Sequence, residues 1–240
     1  IATGRAPTQH GIVADSLIDE STNQQQSFWD NRRMSGTALW DAAIGRGVLA
    51  LDWPTTAGAR IELVIPGLEP LGGDWLRALK SNSSPQLFRQ LEAISARDLE
   101  AREKGEGEAP WPTPPERDAA LAELACNVVT SERDPGLWML RFSQTAVAQA
   151  LEGPGSLGAR AALSSVDREI GRIVDCLDVN GQLADTALIV IGDVAYQPVH
   201  TQVSPNIALV RRGLIGRDPR SSTGIRSWLA VVRSQIGRAH

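Results

Sequence analysis

Three histidines and two cysteines stand against 28 Asp and Glu in 240 residues. A Cys/His zinc module therefore lacks ligands, and any metal site would lean on carboxylates. The carboxylate best placed for chemistry is Asp193, because Gly192-Asp193 comes directly after the apolar run 187–191 and ligands of open α/β sheets sit outside the carboxyl ends of the strands. His200, in Pro198-Val199-His200-Thr201, lies close enough in sequence to reach the same cleft. It is the weaker candidate, since one Asp with one His makes a poor metal site. A second place is Gly153-Pro154-Gly155-Ser156: the amides of the helix it starts could hold an anion, but a turn with Ser156 as N-cap accounts for the same residues. Cys126 and Cys176 fall on expected helices without metal spacing, and they read as buried free thiols ahead of a disulfide.

The elements that must position these groups emerge from the apolar pattern. Short β-rich runs at 48–53, 61–65, 137–142, 187–191 and 207–210 alternate with segments of helical period, which predicts an α/β fold with a predominantly parallel central sheet flanked by helices. The clearest helix carries Leu163, Val166, Ile170, Ile173, Val174 and Leu177 on one face and stops at Asn180-Gly181. Further helices are expected at 37–46, 85–104, 115–130 and 223–234. Residues 100–117 are charged and then Pro-rich, the composition of an exposed connector more than of a lid.

Composition narrows the function. With 42% hydrophobic residues the chain can bury one sizeable core, so residues 1–240 read as a single domain. A net charge of −4 gives no basic field to attract nucleic acid, and no stretch is apolar for long enough to span a bilayer. The opening, Ile1-Ala2-Thr3-Gly4-Arg5, lacks the look of a natural terminus, and the domain is expected to be incomplete at both ends.

Several segments, in order, resemble the type I phosphodiesterase/nucleotide pyrophosphatase family of the alkaline phosphatase superfamily. Thr3-Gly4-Arg5-Ala6-Pro7-Thr8-Gln9-His10-Gly11-Ile12 is similar to its TG-x-x-P-x-x-HGI segment. Leu39-Trp40-Asp41-Ala42-Ala43, Gly47 and Trp53-Pro54 resemble its helix and the strand ending in Trp-Pro. Ser165 to Gly171, Leu183 to Thr186 and Ile189 to Asp193 resemble the helix and strand ahead of its Asp-His metal motif, and Pro205-Asn206 with Gly213-Leu214-Ile215 resembles the family's usual continuation past that motif. The resemblance implies an alkaline-phosphatase-like fold, two divalent metals, usually zinc, on three Asp and three His, and a Thr or Ser nucleophile on phosphorus.

Matched position by position, the metal ligands fail. Aligning Gly153-Pro154 puts the family's Asp-x-x-x-His pair on Ala146 and Ala150, and the histidine after Asp193 is Val194. The nucleophile and first Asp are expected upstream of Ile1, the last His beyond the segment, and His10 is implied to support its loop. Three internal losses at ligand positions should abolish tight binding of both metals. The chain is thus expected to keep the fold, to bind no cofactor and to be inactive, with a nucleotide or phosphoester as the ligand of any residual cleft. Two alternatives are a hydrolase whose altered two-zinc site, or site for other divalent metals, is completed from outside these residues, and a structural or partner-binding domain.

Overall fold

The computed structural model describes residues 2–14, 16–19, 24–27, 29–68, 75–103, 113–131, 135–198, 205–217 and 225–228. In chain order these form helix α1 (Pro7–His10), strands β1 (Ser16–Asp19) and β2 (Gln24–Ser27), α2 (Leu39–Ala42), β3 (Val48–Trp53), β4 (Leu63–Pro66), α3 (Trp75–Asn82) and α4 (Pro85–Glu103). They continue with α5 (Pro114–Val129), β5 (Leu137–Leu140), α6 (Gln144–Glu152), α7 (Leu157–Val179), α8 (Pro205–Arg211), β6 (Ile215–Arg217) and β7 (Ile225–Trp228).

The central sheet is parallel, in the order β4-β3-β5. Its middle strand is apolar on both faces, and alternation sorts those faces. Leu49 and Leu51, with Leu63 and Ile65 of β4, enter a core closed by Leu79 of α3, Leu87 and Phe88 of α4, Leu121 and Leu124 of α5, and Ile173 and Leu177 of α7. Val48, Ala50 and Val64 face the other way, onto Trp40 and Met139. Each fully buried leucine contributes roughly 1.5–3 kcal/mol, so the paired strands and their helices are mutually dependent. The free edge of β4 is met by Ser84, whose backbone N–H donates to Val64 O and whose hydroxyl accepts from Val64 N, both at 2.8 Å.

Strands 48–53, 61–65 and 137–142 and helices 85–104 and 115–130 match observed elements within a few residues. The long helix is α7, capped by Ser156, whose Oγ accepts from Ala159 N at 3.0 Å. Its apolar stripe is buried only in the C-terminal half; Leu163 is exposed. The expected helix 37–46 contracts to α2 and gives way to a turn in which Gly45 and Gly47 have positive φ. A Cβ on Gly47 would press on Pro135 Cα at 3.2 Å, which leaves that crossing to glycine.

Four expectations are corrected. Residues 187–191 are not a strand: they carry no regular secondary structure and have no ladder partner among the described residues, and β propensity makes a strand only where a neighbouring strand pairs with it. Residues 207–210 lie inside α8, where Pro205 takes the first helical position and Gly213 (φ 71°) comes after the end; a four-residue apolar run fits either period. Within 223–234, the described residues 225–228 are β7, antiparallel to β6; the pairing with β6, and not the local pattern of Ile-Arg-Ser-Trp, makes them a strand. Cys126 and Cys176 are not free thiols but a disulfide. Packing of α5 on α7 sets their Cα atoms 5.7 Å apart, inside the span a disulfide requires, and spacing along the sequence did not reveal that packing. For the connector 100–117, the flanks are helical, in α4 and α5, and 104–112 lie outside the described residues.

Candidate functional site

The exit of β3 carries a buried carboxylate. Asp52, the penultimate residue of β3, follows the apolar run from Val48 to Leu51 and is 1% exposed. A lone charge there would cost several kcal/mol, and two guanidiniums compensate it: Arg117 on Oδ1, and Arg141, whose Nε donates to Oδ2 at 3.1 Å. Register makes the second contact unavoidable. Leu51 pairs with Leu140 across β3 and β5, and the Arg141 N–H donates to Leu51 O at 3.1 Å, so the next residues along the two strands are neighbours. Arg117 arrives from the first turns of α5, whose apolar face is buried against the sheet.

The backbone here is held in unusual conformations. The β3–β4 register shifts between Leu51 and Trp53, and Asp52 has φ 56°, with Thr55 shortly after it at φ 57°. Gly67 makes this possible, because a Cβ there would fall 2.4 Å from the Asp52 carbonyl oxygen. Left-handed non-glycine residues cost on the order of 1–3 kcal/mol each and persist where the surroundings over-determine them.

Asp118, next to Arg117, is fully buried and organises the exit of β5. Its carboxylate accepts from Ser143 N at 2.9 and 3.1 Å, Gln144 N at 3.0 Å and Ser143 Oγ at 3.3 Å, supplying α6 with the N-terminal acceptor that Ser143 itself does not provide. Burial pushes the Asp118 carboxyl above its ordinary range, opposed by the donors from Ser143 and Gln144. Burial, then the neighbouring Arg141 charge, lowers Arg117 to about 10, with Asp118 acting the other way; the guanidinium stays charged at neutral pH.

The residues expected from sequence fall elsewhere. Asp193 is exposed within 186–198, and Val194 beside it is 60% exposed. His200 lies outside the described residues. Ala146 and Ala150 sit one turn apart on α6 and share a face, just beyond the Asp118 network. Among the described residues no group of three or more His, Cys, Asp or Glu is arranged to hold a metal. His10 supports its loop, with Nδ1 accepting from Ile12 N at 3.1 Å. Sequence reasoning missed Asp52, Arg117, Arg141 and Asp118. The available signal was a carboxylate closing the apolar run 48–51, a position that demands a cationic partner.

Together these features define an α/β domain with a charged site at the carboxyl ends of adjacent parallel strands. The type I phosphodiesterase / nucleotide pyrophosphatase family model matches residues 1–237, and the chain belongs to that family. Solved structures similar to it include murine ectonucleotide pyrophosphatase / phosphodiesterase 5 (17% identity, TM-score 0.44, 76% of this chain and 40% of that chain). Another is phosphonoacetate hydrolase from Sinorhizobium meliloti 1021 in complex with phosphonoformate (15% identity, TM-score 0.41, 73% and 40%). The matched chains are thus much longer than this one. No curated protein sequence matches it. No described helix is long and apolar enough to cross a membrane.

Proposed function

We propose that this chain is a type I phosphodiesterase/nucleotide pyrophosphatase-like domain that has lost most of the two-metal site of its family and does not catalyse hydrolysis. The observation that carries the reading is the α6 face bearing Ala146 and Ala150, where the family pattern requires Asp and His. Methyl groups offer no lone pair to a divalent ion, and a single remaining Asp193 beside Val194 cannot replace a tetrahedral ligand set. The donor set does not fit two zinc ions, and no step is routed through them. What remains is a polar site at the sheet exit suited to holding a nucleotide or phosphoester without cleaving it.

The test is metal content and turnover on the polypeptide in its full natural length. After dialysis, zinc and manganese should be far below one equivalent by mass spectrometry, and bis(p-nitrophenyl) phosphate should be hydrolysed no faster than in buffer. Stoichiometric metal with turnover that a chelator abolishes would overturn the proposal.

A further inference from the structure

We infer that Arg117 and Arg141 form a metal-independent binding site for a compact oxyanion of the phosphate class, placed at the carboxyl ends of β3 and β5. The inference rests on the reading of a retained, non-hydrolytic phosphoester site, and it assigns that site its positive charge.

Three observations lead there. The first is the arrangement of charge in depth. Asp52 is sealed, with its side chain 1% exposed, whereas Arg117 and Arg141 are 18% and 28% exposed, so the carboxylate forms the floor and the guanidiniums form the accessible surface. The second is how the acceptors are occupied. Two guanidiniums share the Asp52 carboxylate, while the other buried carboxylate nearby, Asp118, already accepts from Ser143 and Gln144. Arg141 engages Asp52 through Nε, and no described residue accepts from its terminal nitrogens. A guanidinium presents five donors in a planar fork that matches tetrahedral oxyanions. The third is strain: Asp52, whose carboxylate the arginines share, and Thr55, three residues on, both buried, hold left-handed backbone, the kind of conformation that concentrates at binding sites. With Asp118 counted, two carboxylates face two guanidiniums, so what a ligand would use is the donor capacity left on the Arg141 fork beyond its bond to Asp52.

Inorganic phosphate is the probe, titrated into the full-length protein by calorimetry and thermal unfolding at constant ionic strength, with and without EDTA. Saturable binding that raises the melting temperature and is indifferent to EDTA is expected. Arg141→Gln should weaken it about tenfold or more, the effect of losing a charged hydrogen-bond donor, and Arg141→Lys should restore part of it. Should Arg141→Gln fail to fold, Arg141→Lys, which keeps a positive charge on Asp52 but not the planar fork, carries the test: it should fold and bind phosphate more weakly than the unaltered protein. Absence of saturable binding to the unaltered protein, or an Arg141→Gln variant that binds as tightly, overturns the inference and leaves the loss of catalysis standing. Binding that EDTA abolishes and zinc restores overturns both.

Discussion

Two segments of this chain look alike in sequence and end up in opposite environments. Residues 48–52, Val-Leu-Ala-Leu-Asp, and residues 189–193, Ile-Val-Ile-Gly-Asp, are both short apolar runs that lead into an aspartate. The first is the middle strand of the sheet, and from Val48 to Asp52 no residue exceeds 5% exposure. In the second, Ile189, Val190 and Ile191 are 80%, 66% and 53% exposed, and no described strand pairs with them. A strand is a relation between two stretches of chain, so propensity locates the candidates and pairing decides among them. Asp52 consequently lies between two arginines in a dry environment, where charge interactions are strong, and Asp193 is in contact with water.

The contrast breaks most sharply on the two aspartates. Asp52→Ala strands two guanidiniums around a buried gap and should lower stability by about 3–5 kcal/mol in urea unfolding at neutral pH. Asp193→Ala removes an exposed carboxylate and should change stability by less than about 0.5 kcal/mol. Equal costs for the two would mean that 187–193 is as tightly packed as β3.

A similar pair of substitutions tests the strands themselves. Leu49 is wholly buried between β4 and β5, and Leu49→Ala should cost about 2–5 kcal/mol through lost transfer energy and a cavity. For Ile189→Ala, at 80% exposure, the change should again stay within about 0.5 kcal/mol. A large penalty at Ile189 would reveal a partner for the ribbon.

The same contrast separates what was legible in the sequence from what was not. Runs with a clear length or period became the elements they predicted: 48–53, where local pattern and burial agree, and the helix carrying the stripe from Leu163 to Leu177, although only the C-terminal half of that stripe is buried. That Ala146, Ala150 and Val194 carry no metal donor was equally readable, since it follows from side-chain identity in any environment. Non-local facts stayed hidden. The disulfide needs α5 against α7, and the Asp52 cluster needs β3 beside β5 in register and α5 laid across the sheet; all three contacts join residues dozens of positions apart. The family motif points to Asp193, whereas the carboxylate that burial makes costly is Asp52.

The smallest effect bears on why the two segments differ in backbone. Among the described residues the left-handed non-glycine positions are Asp52 and Thr55, so the β3 exit alone is strained in this way and the stretch after 187–191 is not. Thr55 is β-branched, for which φ 57° is an outlier, and relieving it should return about 1–3 kcal/mol. Thr55→Gly also enlarges the unfolded ensemble, at about 0.5–1 kcal/mol, and removes the bond from Thr55 Oγ1 to Pro54 O at 2.7 Å, a net loss of about 0.5–1.5 kcal/mol. At mid-range the three terms nearly cancel, so stability should stay within about 0.5 kcal/mol, readable as little change in melting temperature. If strain serves to fix Asp52 beneath Arg117 and Arg141, the same variant should bind phosphate more weakly at nearly unchanged stability. A variant that is less stable and binds unchanged would show that the hydroxyl's hydrogen bond, and not the backbone strain, is what Thr55 contributes.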